Sequence, residues 1–362
     1  MRRVLVVRLD SDGDVLLCGP AVRAVAAGAD EVVALVGPRG RQAAGLLPGV
    51  TSVLGWRCGW VDADAPAVTA ASIAEVVETL RGVDADEAVV FTSFHQSPLP
   101  TALVLRLAGV GRISAASVDY PGSLLDVRLR PGDTASDLTA DLDDTLPEPE
   151  RALAVAARAG FPRPADDSGR LAVALPPGTP DATRALLAEH GVHGRYVVLH
   201  PGASVPARAW PAFRATEGVA ALVADGHRVV VTGSPAETAL TAAVAGRAGV
   251  DLGGRSDFAT LAAVLAGADA VVVGNTGPAH LAAAVGTPVI SLFSPVVPME
   301  RWGPYGVARV VLGDQEAPCR GTRARDCPVP GHPCLAGVGP EDVVAAVRSL
   351  LADAAGIANR RL

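Results

Sequence analysis

Lysine is absent: all 31 basic residues are arginine, and asparagine occurs only at positions 275 and 359. We read this as the codon bias of a GC-rich genome, so a lone arginine says little by type alone. Aromatic residues form only 4% of the 362-residue chain, and its cores must be built from Val, Leu and Ala. No run of about 18 apolar residues exists to span a bilayer. The basic, apolar start MRRVLVV ends at Arg8, too short for a signal-peptide core. A soluble, cytoplasmic protein with no transmembrane segment is expected. The net charge of −7 argues against an extended phosphate-tracking surface and hence against a nucleic-acid partner, although a local basic pocket is compatible with it.

Five cysteines without a C-x-x-C pair make a disulfide framework an unsuitable reading. Cys319, Cys327, His332 and Cys334 crowd together, but their spacing lacks the paired knuckles of structural zinc sites. A thiol-bearing surface loop is the preferred reading, with zinc as the alternative. Neither G-x-G-x-x-G nor a Walker loop occurs, and DLGGRS (251–256) matches neither. Nicotinamide and P-loop chemistry are thereby disfavoured. The missing G-x-S-x-G elbow disfavours an ordinary α/β hydrolase.

What is present is a rhythm. VLVV (4–7), VVALV (32–36), AVVF (88–91), YVVLH (196–200), RVVVTG (228–233), AVVVG (270–274) and VISLF (289–293) read as buried parallel strands. Ala/Leu/Arg segments between them, several ending in Gly, read as helices. This predicts an α/β fold of two doubly wound parallel sheets, since the length allows two domains with a core each. The rhythm pauses between about 119 and 180, where acidic and Pro-rich sequence reads as a linker flanking a helix near Glu148–Ala159. Domains of 1–170 and 171–362 follow, with the last helix able to pack back on the first domain. Ligands of such sheets lie beyond the carboxyl ends of the strands. Two facing domains would then share one cleft.

The strand-end loops carry the candidate chemistry. In VVVGNTGPAHLAAAVGTPVISLFSP (271–295) a strand ends in a tight turn before a helix that opens at Pro278. Asn275, Thr276, Gly277 and His280 would face an anion such as phosphate at that helix N-terminus, or simply cap it. HPGASVPARAWP (200–211) places Ser204 and Arg208 after another strand; Arg208 is either a diphosphate partner or solvated. Glu237, in VVVTGSPAE, either grips ribose hydroxyls or rests on a helix dipole. His95, Gln96 and Ser97, in FTSFHQSPLP (91–100), could read sugar hydroxyls or lie idle at the surface. RLDSDGDVLL (8–17) sets Asp10, Asp12 and Asp14 at calcium-loop spacing. Val15 and Ala21 stand where such a loop needs Gly and Glu, so the acids form either a solvated turn or a carboxylate aimed into a cleft.

Together these motifs resemble glycosyltransferase family nine, the heptosyltransferases. Gly13-Asp14-Val15 looks like the family's N-terminal motif, and His200-Pro201-Gly202-Ala203-Ser204 with Arg208, Trp210 and Pro211 looks like its second. Gly233–Glu237 and Gly274–Ala284 complete the order. Asn275 departs from the Asp of the best-known members, Arg208 from a common Lys, and Ser294 from a common Gly. The resemblance implies GT-B architecture and metal-independent, inverting transfer of a sugar, by analogy heptose from ADP-heptose, to a hydroxyl of a glycan or natural product. It implies no cofactor beyond that nucleotide-sugar donor. Asp14 would be the catalytic base and Arg208 the charge on the leaving diphosphate. Ser204, Glu237, Asn275, Thr276, Gly277 and His280 would hold the donor, and Asp12, His95, Gln96 and Ser97 the acceptor. A lipid-linked acceptor would bring the protein to the inner membrane face. The alternatives are another GT-B enzyme, such as a UDP-sugar 2-epimerase, and a non-catalytic nucleotide-binding module.

Overall fold

The computed structural model describes residues 1–62, 64–93, 95–132 and 139–359. The chain divides into two compact units, Met1–Ala174 and Leu175–Leu362. Unit 1 runs β1 (Arg3–Arg8), α1 (Asp12–Leu17), α2 (Gly19–Ala26), β2 (Glu31–Val36), α3 (Arg41–Ala44), β3 (Ser52–Gly55) and α4 (Ala70–Val83). It continues with β4 (Glu87–Val90), α5 (Leu99–Leu107), β5 (Arg112–Ala116), β6 (Val127–Leu129), the short pair β7 (Pro131–Gly132) and β8 (Leu142–Asp143), and α6 (Glu148–Arg158). Unit 2 runs α7 (Thr179–Glu189), β9 (Val197–His200), α8 (Ala212–Ala224), β10 (Val229–Val231), α9 (Thr238–Ala245), β11 (Val250–Asp251) and α10 (Phe258–Ala266). β12 (Ala270–Gly274), α11 (Gly277–Ala284), β13 (Val289–Leu292), α12 (Met299–Trp302), β14 (Arg309–Leu312), α13 (Pro333–Ala336) and α14 (Pro340–Asn359) complete it.

Each unit holds one six-stranded parallel sheet, and the two sheets have the same strand order: β3-β2-β1-β4-β5-β6 and β11-β10-β9-β12-β13-β14. This is the doubly wound, Rossmann-like order, in which the direction of winding reverses between the first and fourth strands. The reversal falls between β1 and β4 in unit 1 and between β9 and β12 in unit 2. Central strands covered on both faces need apolar residues at every position, hence runs such as AVVVG in β12, buried throughout. Each fully buried Val contributes about 1.5–3 kcal/mol relative to exposure. One core in each unit gathers these strands with their flanking helices.

The seven strands expected from sequence are all present. Of those not expected, β3, β6, β11 and β14 are the edges of the two sheets, where exposed or half-buried positions break the apolar run, while β5 is internal and its sequence RISAA carries no Val/Leu run. The Pro-rich segment after residue 119 is not a free linker. α6 buries Ala152, Val155 and Ala156, Phe161 and Leu171 are enclosed, and Arg23 grips Asp167 at 2.6 Å. The final helix α14 packs on α8, with further contacts to β14, β12 and β13, all in unit 2.

Candidate functional site

In unit 1, β1 delivers Arg8 at its carboxyl end, and the next turn enters α1. Ser11 caps that short helix and Asp14 stands at its third position. Asp14 Oδ2 accepts from the Ser11 hydroxyl at 2.8 Å and from the Ser11 amide at 3.3 Å. Arg8 is buried, and its guanidinium lies 2.9 Å from Asp10, 3.1 Å from Asp14 and 3.8 Å from Glu148. It also donates to Ser93 Oγ at 2.8 Å, beyond the end of β4. Gln96 closes the circuit, donating to Asp10 Oδ1 at 2.6 Å and accepting from the Ser93 amide at 3.1 Å. The ends of β1 and β4, either side of the reversal point, are thus tied by one polar network.

Burial works against the Arg8 charge, but Asp10, Asp14 and Glu148 outweigh it and leave its pKa raised. Asp10 is pushed above the usual carboxylate range by burial, against the pull of Arg8 and with Asp14 adding to the push. Of the two readings of these acids, a solvated turn does not describe Asp10, which lies inside the network. Asp12 is raised to about 6 by burial, while its Oδ1 accepts from the Ala43 amide at 2.9 Å. Its carboxylate is engaged with the start of α3. Gln96 also lines a cavity of about 360 Å³ together with His95 and Ser97.

In unit 2 three strand-end loops converge. The segment after β9 carries Ser204, which is exposed, and a single turn Pro206–Arg208 that presents partly buried Arg208. The backbone of Arg208 lies directly on Gly274, where a Cβ would meet the Arg208 carbonyl oxygen at 2.8 Å. Glu237 accepts from the Ser234 amide and hydroxyl at 2.8 and 2.7 Å, capping its turn, and lies so close to Gly202 that a side chain there would collide with it. His200 is enclosed against Thr232 Oγ1 at 3.0 Å, and burial pushes its pKa down to about 4, so it is neutral at physiological pH. Beyond β12, Thr276 occupies the N-cap position of α11 without a side-chain capping hydrogen bond, Gly277 opens the helix and His280 is buried in its first turn. Asn275 Oδ1 accepts from the Ser294 amide at 3.4 Å, while its Nδ2 has no hydrogen-bond partner among the described residues. Trp210 is core, its ring packed over Gly218.

Sequence reasoning missed Arg8, Ser93 and Glu148. A charged residue closing a strand buried on both faces, followed at once by three acids, is the signal that marks Arg8. Glu148 was read only as the first residue of a helix between Pro-rich stretches, and nothing local points it at Arg8. The surface-loop reading of the cysteines is also corrected: Cys319 and Cys334 are buried in the unit 2 core, with Cys327 packed against it. Burial pushes the Cys334 thiol to about 11. Among the described residues no three His, Cys, Asp or Glu side chains are grouped to hold a metal ion, and no helix is long and apolar enough to cross a membrane.

Two Rossmann-like domains with polar strand-end loops at both reversal points define a GT-B fold. The solved structure of ADP-heptose lipopolysaccharide heptosyltransferase II from Escherichia coli matches with a TM-score of 0.72 at 17% identity, covering 98% of this chain and 99% of that one. A family 9 glycosyltransferase from Veillonella parvula matches at 0.77 and 16%, covering 97% and 98%. The sequence pattern of glycosyltransferase family 9 (heptosyltransferase) matches residues 150–331, half of the chain, and the chain belongs to that family. Lipopolysaccharide heptosyltransferase 3 of Escherichia coli is 31% identical over 188 residues, 49% of this chain and 54% of the relative. The chain spans about half the length of the Escherichia coli relatives it matches.

Proposed function

We propose that the protein is an inverting glycosyltransferase that moves a sugar, heptose from ADP-heptose, onto a hydroxyl of an acceptor. The observation that carries this reading is the pairing of chemistries at the two reversal points. Unit 1 offers an oriented carboxylate, whereas unit 2 offers an arginine beside a helix N-terminus. Asp14 takes the acceptor hydroxyl proton as that oxygen attacks the anomeric carbon. The bond to the diphosphate breaks on the opposite face, and its electron pair leaves with the nucleoside diphosphate. Arg208 and the start of α11, with Thr276 and Gly277, stabilise the departing charge. Ser204, Glu237, Asn275 and His280 complete the donor site, and His95, Gln96 and Ser97 the acceptor site.

Arg8 supports this role by fixing the Asp14 carboxylate. A single arginine facing a single carboxylate would weaken it as a base. Here Arg8 is shared with Asp10 and Glu148, so Asp14 is oriented by a cation that it does not hold alone.

We further propose that transfer needs no metal and takes place in the cytoplasm, at the inner membrane face if the acceptor is lipid-linked. The test is release of ADP from ADP-heptose in EDTA, with and without hydroxyl-bearing acceptors. Release that depends on acceptor and survives EDTA is expected. Donor conversion without any acceptor would instead favour the epimerase reading, which the heptosyltransferase relatives do not favour.

A further inference from the structure

The 360 Å³ cavity beside the Asp14 network has a wall unlike the rest of the protein. In a chain with only four tryptophans and six phenylalanines, it is built by Trp60 and Phe91, together with Leu9, Val61 and Pro100. Trp60 is held in place twice. Its Nε1 donates to Thr101 Oγ1 at 3.1 Å, and Trp56 meets its ring edge-on with centroids 5.1 Å apart. A ring fixed in this way presents a set face to a ligand at little conformational cost. The volume lies within the range of small-molecule pockets, about 300–1,000 Å³.

No arginine, aspartate or glutamate lines this cavity among the described residues, and its polar groups are His95, Gln96, Ser97, Thr92 and Thr101. The charge next to it is acidic on balance. Arg8 pairs with Asp10, Asp14 and Glu148, and nearby Arg151 lies 3.5 Å from Asp144. A smaller cavity beyond His95–Ser97, about 140 Å³, does include Arg151, but Asp119 lines it as well. Among the described residues an anionic ligand would therefore find no uncommitted counter-charge here and would face net repulsion.

Gln96 joins the cavity to the base. It lines the wall and donates to Asp10, which shares Arg8 with Asp14. We propose that this cavity is the acceptor subsite and that it takes an uncharged, hydroxyl-bearing ring stacked on Trp60, not a phosphorylated or carboxylated sugar. The proposal rests on the glycosyltransferase reading for the word acceptor, and on the cavity alone for the class of ligand.

The test is calorimetric titration of the full chain with three probes: methyl β-D-glucoside, 4-nitrophenyl β-D-glucoside and the 6-phosphate of the latter. The neutral nitrophenyl probe is expected to bind at least about tenfold more tightly than its phosphate, and Trp60→Ala to weaken it by a further factor of about ten. Trp60→Phe, which keeps a ring, should retain most of the binding and so guards against loss of fold. Ser97→Arg, at an exposed position on the rim, should bring the phosphate probe's affinity up to that of the neutral one. Binding of the methyl glucoside would identify a sugar ring as sufficient, and binding of the nitrophenyl probe alone an aromatic or alicyclic aglycone. Equal or tighter binding of the phosphate to the unaltered protein, or no binding of either neutral probe at millimolar concentration, would overturn the proposal. ADP is titrated in parallel: its failure to bind would sink the donor assignment in unit 2 and leave the cavity result standing.

Discussion

The two units share a strand order and differ in the charge they place at its reversal point. At the end of β9 and β12, unit 2 relies on backbone: a helix start, two glycines in close contact with neighbouring loops, and a single partly buried arginine. At the end of β1 and β4, unit 1 relies on side chains, with three carboxylates, a guanidinium, a serine and an amide knitted across two strands. One strand order thus carries loops of different electrostatic character, because in a shared fold the loops, not the sheet, set the charge at the strand ends. Backbone sites leave local motifs in sequence, whereas a network drawn from residues 8, 14, 93 and 148 does not. The family match, which begins at residue 150, covers most of unit 2 and little of unit 1.

The sharpest way to break this contrast is Asp14→Asn, which keeps shape and removes basicity. Turnover should fall by about 10²–10⁴-fold while ADP affinity stays within a few-fold. If steady-state kinetics and calorimetry show affinity lost and turnover of the bound fraction intact, the division of labour between the units is wrong. Arg8→Met probes the same network through stability. It strands buried carboxylates without their cation, and chemical denaturation should register a loss of about 3–5 kcal/mol. In unit 2, Arg208→Ala should weaken ADP binding by about ten- to hundredfold, the worth of a hydrogen bond to a charged group. Turnover should fall with it if, as proposed, this charge meets the diphosphate before and during departure.

The smallest effects concern pH, and they have opposite signs in the two units. Asp12 in unit 1 has a folded pKa raised to about 6, so the native state binds its proton more tightly than the unfolded chain. Its contribution to stability is present in acid and declines as pH rises from the ordinary carboxylate range through about 6. His200 in unit 2 has a folded pKa lowered to about 4, so its contribution is present above the ordinary imidazole range and lost as pH falls towards 4. Melting temperatures of Asp12→Asn and His200→Gln between pH 4 and 7 should tilt in opposite directions relative to the parent. Parallel curves would mean that burial does not set either titration.

How much of this could be read from sequence divides along the same line. Both sheets were legible because central strands buried on both faces need unbroken apolar runs. β3 and β14 were not, because an edge strand need only be apolar in part. In unit 2, Arg208, Glu237 and the Asn275–His280 turn follow directly on readable strands, so their placement at strand ends could be anticipated. In unit 1, Asp14 was legible through its position after β1, but its partners were not. Ser93 and Glu148 reach Arg8 through tertiary contact across 85 and 140 residues, and no local pattern encodes that. Trp56 and Trp60 lie in a segment without strand or helix rhythm, where an aromatic pair gives no hint of the cavity beside it.

The contacts at Gly202 and Gly274 bear on how relatives of this chain should be sorted. Charged residues at a site can be exchanged, as an arginine for a lysine, with the chemistry intact. A methyl group at position 274 cannot be fitted against the carbonyl of residue 208 at 2.8 Å without shifting the loop that carries the cation. A descendant that gains any side chain there has moved the loop of residue 208, whatever acids and bases it retains, whereas at position 202 the collision is with the end of the Glu237 side chain, which can swing aside. For sorting such relatives, the hydrogen in place of a side chain at position 274 is a stricter criterion than the polar residues around it.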